Sequence, residues 1–396
     1  MTTLSVVIPA YNEESGIKEI AQRVLDVRAA LEGVGVGRLE LLVVDDGSRD
    51  KTAAIAGSMA DVKVIQHPTN KGYGAALKTG FGQAEGELIG FLDADGTYPP
   101  EYFPQLCAEA LLGADLVIGS RMSGADSQMP ITRRVGNLFF ANLLSLMGRR
   151  RVSDSASGMR VFKRDLLQQI YPLPDGLNLT PVMSTRAVHE EIRMAEVPIP
   201  YSERIGRSKL SVVHDGSLFL RSMVWTVLEY NPVRILGLLG LLGMGFAALT
   251  FLGLLFTRLQ GVTTLEPWNI AFLFAGAMAA VIGISLFSLG ITFNYLVSLF
   301  HKRPIRQGLF GRPLFKRTPL EKQFGWMGGL ALVVGLIIGA ASLVMGLSGW
   351  DMNRLWLYGL VSAMAVMIGV QLIFFWVLLQ VLAELSQREL AVQPVI

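Results

Sequence analysis

Asp93 and Asp95 stand two positions apart in F-L-D-A-D-G-T-Y-P-P (Phe91 to Pro100), a spacing that suits metal chemistry. On an extended segment, side chains two apart project to the same side, so both carboxylates can converge on one hard divalent cation. A cation held this way keeps waters, binds substrate phosphates and can neutralise a diphosphate as it leaves. The plainer reading is that D-x-D is a common tripeptide and that Asp95-Gly96 makes a turn. One cysteine, Cys107, excludes an intramolecular disulfide, and four scattered histidines are a poor basis for a His-rich metal site. Carboxylates are left as the expected metal donors.

The elements that must position this pair are legible upstream. Leu4 to Pro9, Glu40 to Val44, Val62 to Gln66, Glu87 to Leu92 and Leu116 to Gly119 read as buried strands, and Ser15 to Leu31 and Gly74 to Ala84 as helices between them. This is the βαβ pattern of a mostly parallel sheet. Such sheets bind ligands beyond the carboxyl ends of their strands. Polar clusters fall at those ends: Ala10-Tyr11-Asn12-Glu13, Asp45-Asp46-Gly47-Ser48 and Asp93-Ala94-Asp95. No GxGxxG follows the first strand and no GxxxxGK[ST] occurs, which argues against a dinucleotide dehydrogenase or a P-loop ATPase.

The ordered set narrows the reading. S-V-V-I-P-A-Y-N-E-E (Ser5 to Glu14), V-V-D-D-G-S-R-D (Val43 to Asp50), N-K-G-Y-G-A-A-L-K-T-G (Asn70 to Gly80), the Asp93 segment and G-S-R (Gly119 to Arg121) together resemble family 2 glycosyltransferases with the α/β GT-A fold. The resemblance covers roughly residues 1–215. It implies that Pro9, Tyr11 and Glu13 border a nucleotide base, that Asp45 and Asp46 hold base or ribose, and that Asp93 and Asp95 bring Mg²⁺ or Mn²⁺ to the diphosphate of a nucleotide sugar. V-S-D-S-A-S-G-M-R-V-F (Val152 to Phe162), E-V-P-I (Glu196 to Ile199) and R-I-G-R-S-K-L (Arg204 to Leu210) resemble polyprenyl-phosphate hexosyltransferases, the group that includes dolichyl-phosphate mannose synthases. Members move one hexose to a lipid phosphate with inversion. By that resemblance Asp154, Ser157, Arg160, Ser208 and Lys209 join the substrate-binding set, and Asp95, Arg121 and Arg204 the catalytic one. Two departures stand out. Thr97 replaces a glutamine common in the group, which puts the third metal ligand in doubt, and D-S-A-S-G-M-R replaces D-P-T-S-G-F-R.

Composition divides the chain. Of its 396 residues 51% are hydrophobic, but residues 1–232 carry 24 Lys and Arg against 27 Asp and Glu, whereas the rest carry 11 against 5. The second part holds four runs free of those residues, Ile235 to Thr257, Ile270 to Phe300, Met327 to Trp350 and Leu355 to Ala383. Each is long enough to cross a hydrocarbon core of about 30 Å as a helix. The expected organisation is a GT-A domain over residues 1–210, a juxtamembrane interfacial helix over 211–232 and a four-helix transmembrane domain over 233–396. The last contains a basic loop over 301–325 with seven basic residues against Glu321. The positive-inside rule makes that loop cytoplasmic, together with the catalytic domain and the C-terminus. No short apolar segment behind a basic start marks a signal peptide. Gly325 with Gly329 and Gly335 with Gly339 have the GxxxG spacing of closely packed helices.

The acceptor chemistry fits this division. A lipid phosphate is ionised at neutral pH, with a second pKa near about 6, and needs no strong general base. It needs cations that hold two anionic substrates together, work suited to arginine. Arg121, Arg134, Arg160, Arg204 and Lys209 are the candidates. Arg160 could instead be an exposed strand residue, and Arg133-Arg134 a solvated pair. Asn137 to Arg151 reads as an apolar helix with a basic tip, suited equally to a membrane surface or to internal packing. Leu220, Val224, Val227 and Leu228 read as one stripe on the juxtamembrane helix. His189 with Glu190 and Glu191 reads as a solvated helix end. The expected donor is UDP-glucose or GDP-mannose, and the acceptor undecaprenyl or dolichyl phosphate. A homo-oligomer is left open and no nucleic-acid partner is expected. The rivals are a different membrane acceptor, a polysaccharide synthase, disfavoured by the lack of Q-x-x-R-W, and a non-catalytic membrane partner.

Overall fold

The computed structural model describes residues 2–122, 129–147, 151–190, 192–202, 212–261, 266–301, 320–350 and 352–391. The chain divides into two compact units, Met1–Thr226 and Val227–Ile396.

The first unit is built on a sheet of seven strands: β1 (Thr2–Ala10), β2 (Val36–Asp45), β3 (Val62–Gln66), β4 (Leu88–Phe91), β5 (Leu116–Ser120), β6 (Arg160–Lys163) and β7 (Met194–Pro198). Their order is β3-β2-β1-β4-β6-β5-β7. β1 pairs in parallel with β2 and β4, β2 with β3, and β5 with β7, while β6 runs antiparallel between β4 and β5. Side chains alternate between two apolar layers, as strand geometry requires. Leu4, Val6, Ile8, Leu41 and Val43 enter one layer, and Val7, Leu42 and Val44 the other.

The helices of this unit are α1 (Ile17–Asp26), α2 (Arg28–Gly33), α3 (Thr52–Gly57), α4 (Tyr73–Gln83), α5 (Phe103–Leu111), α6 (Ile131–Met147), α7 (Leu166–Ile170) and α8 (Leu179–His189), followed by α9 (Val212–Tyr230), within which the division falls. The single helix expected over Ser15 to Leu31 is two, broken at Val27. Its apolar stripe, Ile17, Ile20, Ala21, Val24 and Leu31, continues through the break, so periodicity does not reveal it. α6 starts before Asn137, and Arg149 and Arg150 lie outside the described residues. On α9, Met223, Thr226, Val227 and Tyr230 are buried, Val224 and Leu228 are half-buried and Leu220 is exposed. His189 is buried at the end of α8, not solvated, because α8 is enclosed on all sides.

The second unit holds α10 (Pro232–Leu259), α11 (Pro267–His301), α12 (Phe324–Leu347) and α13 (Met352–Ala391). All four are long and apolar enough to cross a membrane. Helices satisfy every backbone polar group internally, which the hydrocarbon core demands. α10 packs along α11, α12 along α13, and α11 against α13. Each hairpin closes on a reciprocal glycine pair. A Cβ on Gly240 would lie 2.6 Å from the Gly283 carbonyl oxygen, and one on Gly283 2.8 Å from that of Gly240. Gly328 and Gly369 repeat the arrangement at 2.8 Å each way. Of the GxxxG glycines, Gly335 and Gly339 face α13, but a Cβ on Gly329 would meet nothing. Most of the basic loop lies outside the described residues.

Candidate active site

The parallel strands β1, β2 and β4 end on one edge of the sheet: Ala10 is in register with Asp45, and Val7 with Phe91. Because β6 runs the other way, with Arg160 opposite Phe91, the segment that precedes it reaches the same edge. Gly158 is thereby brought against Asp93. A cavity of about 310 Å³ opens there. Its walls include Pro9, Tyr11, Glu13, Asp46, Tyr73, Asp93, Asp95, Tyr98, Arg121, Arg133 and Tyr201.

The loops after β1 and β2 are clasped together. The Asn12 and Glu13 amides donate to Ser48 Oγ and Thr52 Oγ1, both at 2.9 Å, and Arg49 N donates to Asn12 Oδ1 at 2.9 Å. Asp46 is engaged at both oxygens. Oδ1 accepts from Lys71 N at 2.9 Å and His67 Nδ1 at 2.7 Å, and Oδ2 accepts from Gly72 N at 2.8 Å. The carboxylate thus ties down the loop that opens α4.

Asp93 Oδ1 accepts from the Tyr73 hydroxyl at 2.8 Å. Burial, then the charge of Asp93, push the Tyr73 phenol well above its usual range, so it stays a donor. Gly158 packs on the other side: a Cβ there would lie 2.6 Å from Asp93 Oδ2. Asp95 Oδ1 accepts from Thr97 N at 3.1 Å and Thr97 Oγ1 at 2.6 Å. Thr97 therefore orients Asp95. The described residues contain no group of three or more His, Cys, Asp or Glu able to hold a metal. Two cavity carboxylates nevertheless fit Mg²⁺ or Mn²⁺ in the mode where substrate phosphates and water supply the remaining ligands.

Across the cavity, Arg121 makes a two-pronged pair with Asp154, Nε to Oδ2 at 2.7 Å and Nη2 to Oδ1 at 2.8 Å. The Arg121 amide and Asn137 Nδ2 also donate to Asp154, at 3.0 and 2.9 Å. The guanidinium lies 5.7 Å from the Tyr98 ring and 5.8 Å from that of Tyr201, within cation–π range. Burial opposes both charges, but the pair outweighs it: Arg121 is raised and Asp154 lowered from their ordinary values. Arg133 Nη1 donates to the Tyr201 hydroxyl at 3.1 Å.

The cavity brings together seven of the expected residues, Pro9, Tyr11, Glu13, Asp46, Asp93, Asp95 and Arg121. Others support it from behind. Asp45, Asp154, Ser157 and Arg160 are buried and do not line it. Ser157 Oγ donates to the Gly119 carbonyl at 2.6 Å. Arg160 is fully buried, so an exposed strand position does not describe it, and it does not line the cavity. Its Nε and Nη2 donate to the Ser157 and Ser155 carbonyls at 3.0 and 2.9 Å, and burial pulls its pKa down to about 10. Arg134 is exposed and off the cavity, whereas Arg133 lines it, because adjacent helical residues point about 100° apart. Arg204, Ser208 and Lys209 lie outside the described residues.

Tyr73, Tyr98, Arg133 and Tyr201 were not singled out as site residues. Tyr73 and Tyr98 stand inside quoted motifs, N-K-G-Y-G and D-A-D-G-T-Y, where they could have been noticed. Tyr201 carries no local signal, since only sheet pairing after β7 brings it here.

Residues 5–171 match the family described as Glycosyl transferase family 2, and residues 232–393 one described as Domain of unknown function (DUF8752). A dolichyl-phosphate hexose transferase of Haloferax volcanii is 34% identical over 226 residues, covering 57% of this chain and 94% of that protein. The low-salt glycan biosynthesis hexosyltransferase Agl6 of the same organism is 30% identical over 389 residues, 96% of this chain and 89% of the relative. An undecaprenyl-phosphate 4-deoxy-4-formamido-L-arabinose transferase of Salmonella dublin is 30% identical, covering 81% of this chain and 96% of the relative. Among solved structures, the glucosyl-3-phosphoglycerate synthase of Mycobacterium tuberculosis bound to uridine-diphosphate aligns with 57% of this chain and 80% of its own, at 22% identity and TM-score 0.47. With a family 2 match over its catalytic unit and a hexosyltransferase relative along nearly its whole length, the chain belongs to the family 2 glycosyltransferases that act on polyprenyl phosphates.

Proposed function

We propose that the protein transfers one hexose, with inversion, from UDP-glucose or GDP-mannose to undecaprenyl or dolichyl phosphate at the cytoplasmic face of the membrane. The observation that carries this reading is the joint placement of Asp93 and Asp95 with Arg121 and Arg133 on one cavity at the carboxyl edge of the sheet. A divalent cation on the two carboxylates, when bound, supplies positive charge to the departing diphosphate.

The chain's own residues divide the remaining work. Pro9, Tyr11 and Glu13 border the nucleotide. Thr97 holds Asp95 in its orientation. Arg121, fixed by Asp154 and its two tyrosine neighbours, gives a rigid cationic wall, and Arg133 presents a second cation for an anionic acceptor. The acceptor oxygen attacks the anomeric carbon and the bond to the diphosphate breaks. A phosphate nucleophile arrives ionised, so no side chain has to remove its proton. Among the described residues no histidine lines the cavity. Orientation rests on the charge bias of the 301–325 loop.

The test is transfer by the purified protein. A thermal-shift screen of nucleotide sugars with and without Mn²⁺ identifies the donor, since a bound ligand raises the melting temperature with its affinity. Asp93→Asn and Asp95→Asn should abolish transfer while leaving the apo melting temperature near wild type. Full activity in EDTA would refute the metal role. Transfer to a free sugar or diacylglycerol but never to polyprenyl phosphate would refute the acceptor.

A further inference from the structure

We infer that Tyr73 is a positioning residue for Asp93, and that Asp46 acts through it by anchoring the turn that aims Tyr73. This rests on the reading of Asp93 and Asp95 as the metal carboxylates. The contacts form a continuous path. Asp46, only 3% exposed, accepts from His67, Lys71 N and Gly72 N, and His67 Nε2 is in turn 2.9 Å from Thr79 Oγ1 on α4.

Gly72 then takes φ 104°, a left-handed conformation open to glycine at little cost, and α4 begins at the next residue. The far side of that first turn is held as well. A Cβ on Gly72 would fall 2.6 Å from the Asp175 carbonyl oxygen and one on Gly74 2.2 Å from that of Pro174, while Ala75 N donates to Asp175 O at 3.0 Å. A turn pinned from both sides leaves the Tyr73 ring little freedom. Its hydroxyl meets Asp93 Oδ1 at 2.8 Å, and Gly158 closes on Oδ2. The carboxylate is thus set in its rotamer by contacts on two sides, and outer partners of this kind tune metal affinity.

The decisive variant is Tyr73→Phe, which removes the donor and keeps the ring. Full-length protein in detergent is titrated with Mn²⁺ in the presence of UDP or GDP, whichever raises the melting temperature of the wild type, and free Mn²⁺ is read by electron paramagnetic resonance. Loss of an outer partner weakens metal binding about 10- to 100-fold. Tyr73→Phe should therefore bind Mn²⁺ about 10-fold more weakly than wild type, with an unchanged apo melting temperature and with kcat recovered at saturating Mn²⁺. Asp93→Asn sets the lower limit.

If Tyr73→Phe titrates like wild type while Asp93→Asn loses Mn²⁺, the inference is overturned and the metal reading stands. If Asp93→Asn also titrates like wild type, the metal reading fails and this inference with it. Asp46→Asn should weaken Mn²⁺ binding non-additively with Tyr73→Phe. An unchanged Mn²⁺ titration in Asp46→Asn would overturn the part that concerns Asp46.

Discussion

Gly158→Ala tests the geometry of the site with one methyl group. The three atoms nearest the added Cβ all belong to Asp93: Oδ2 at 2.6 Å, Cγ at 3.0 Å and Oδ1 at 3.0 Å. Ordinary contact begins near 3.4 Å, so the carboxylate has to retreat by about 0.8 Å from the position in which the Tyr73 hydroxyl holds it. Displacements of about 1 Å at a reacting centre cost about 100-fold in rate, equivalent to about 2.7 kcal/mol of transition-state stabilisation. The backbone cost is small. Gly158 is not among the positive-φ residues, and alanine at a compatible glycine position changes stability by only about 0.4–1 kcal/mol, in its favour. The assay pairs hexose transfer with thermal unfolding. The expected result is turnover down about 100-fold with a melting temperature within a few degrees of wild type. Wild-type turnover would refute the claim that Asp93 is held where the chemistry needs it. A collapse of the melting temperature would refute the expectation that the cost falls on the Asp93 carboxylate and not on the fold.

Asp154→Asn leaves Arg121 buried without its counter-charge and should lower stability by about 3 kcal/mol, measured by denaturant unfolding. The folded-state pKa of Asp154 lies below its ordinary value, so its contribution is complete above about pH 4 and is lost only as pH falls through the depressed value. Melting curves between pH 5 and 7 should therefore show no loss traceable to this pair. In the second unit, Gly283→Ala and Gly369→Ala force the hairpins apart and should each cost about 1–3 kcal/mol, read as lower thermal stability in detergent. Gly245→Ala, where a Cβ meets nothing, should be silent.

Much of the architecture is local in origin and so was legible beforehand. The apolar runs of the second unit are long and free of charge, and no tertiary contact is needed to see that they are helices suited to a bilayer. The β1, β2 and β4 runs end in polar clusters because parallel strands share one carboxyl edge, which located Pro9, Tyr11, Glu13, Asp46, Asp93 and Asp95 on the cavity. The break at Val27 was not legible, since an apolar stripe records which residues are greasy and not where the backbone between them turns.

The residue types and spacing of the sequence determined the family, the carboxylate pair and the presence of an apolar second unit. Tertiary structure alone decided how the basic residues are used. Arg160 and Arg121 look alike in a motif, yet an antiparallel β6 buries the first beneath residues 155–157 and leaves the second in the cavity wall, paired with Asp154. Arg133 and Arg134 differ only by one step around α6, and that step puts one in the site and the other in solvent. The reason is physical: a side chain's chemistry is set by the atoms around it, and those come from segments far away in the chain.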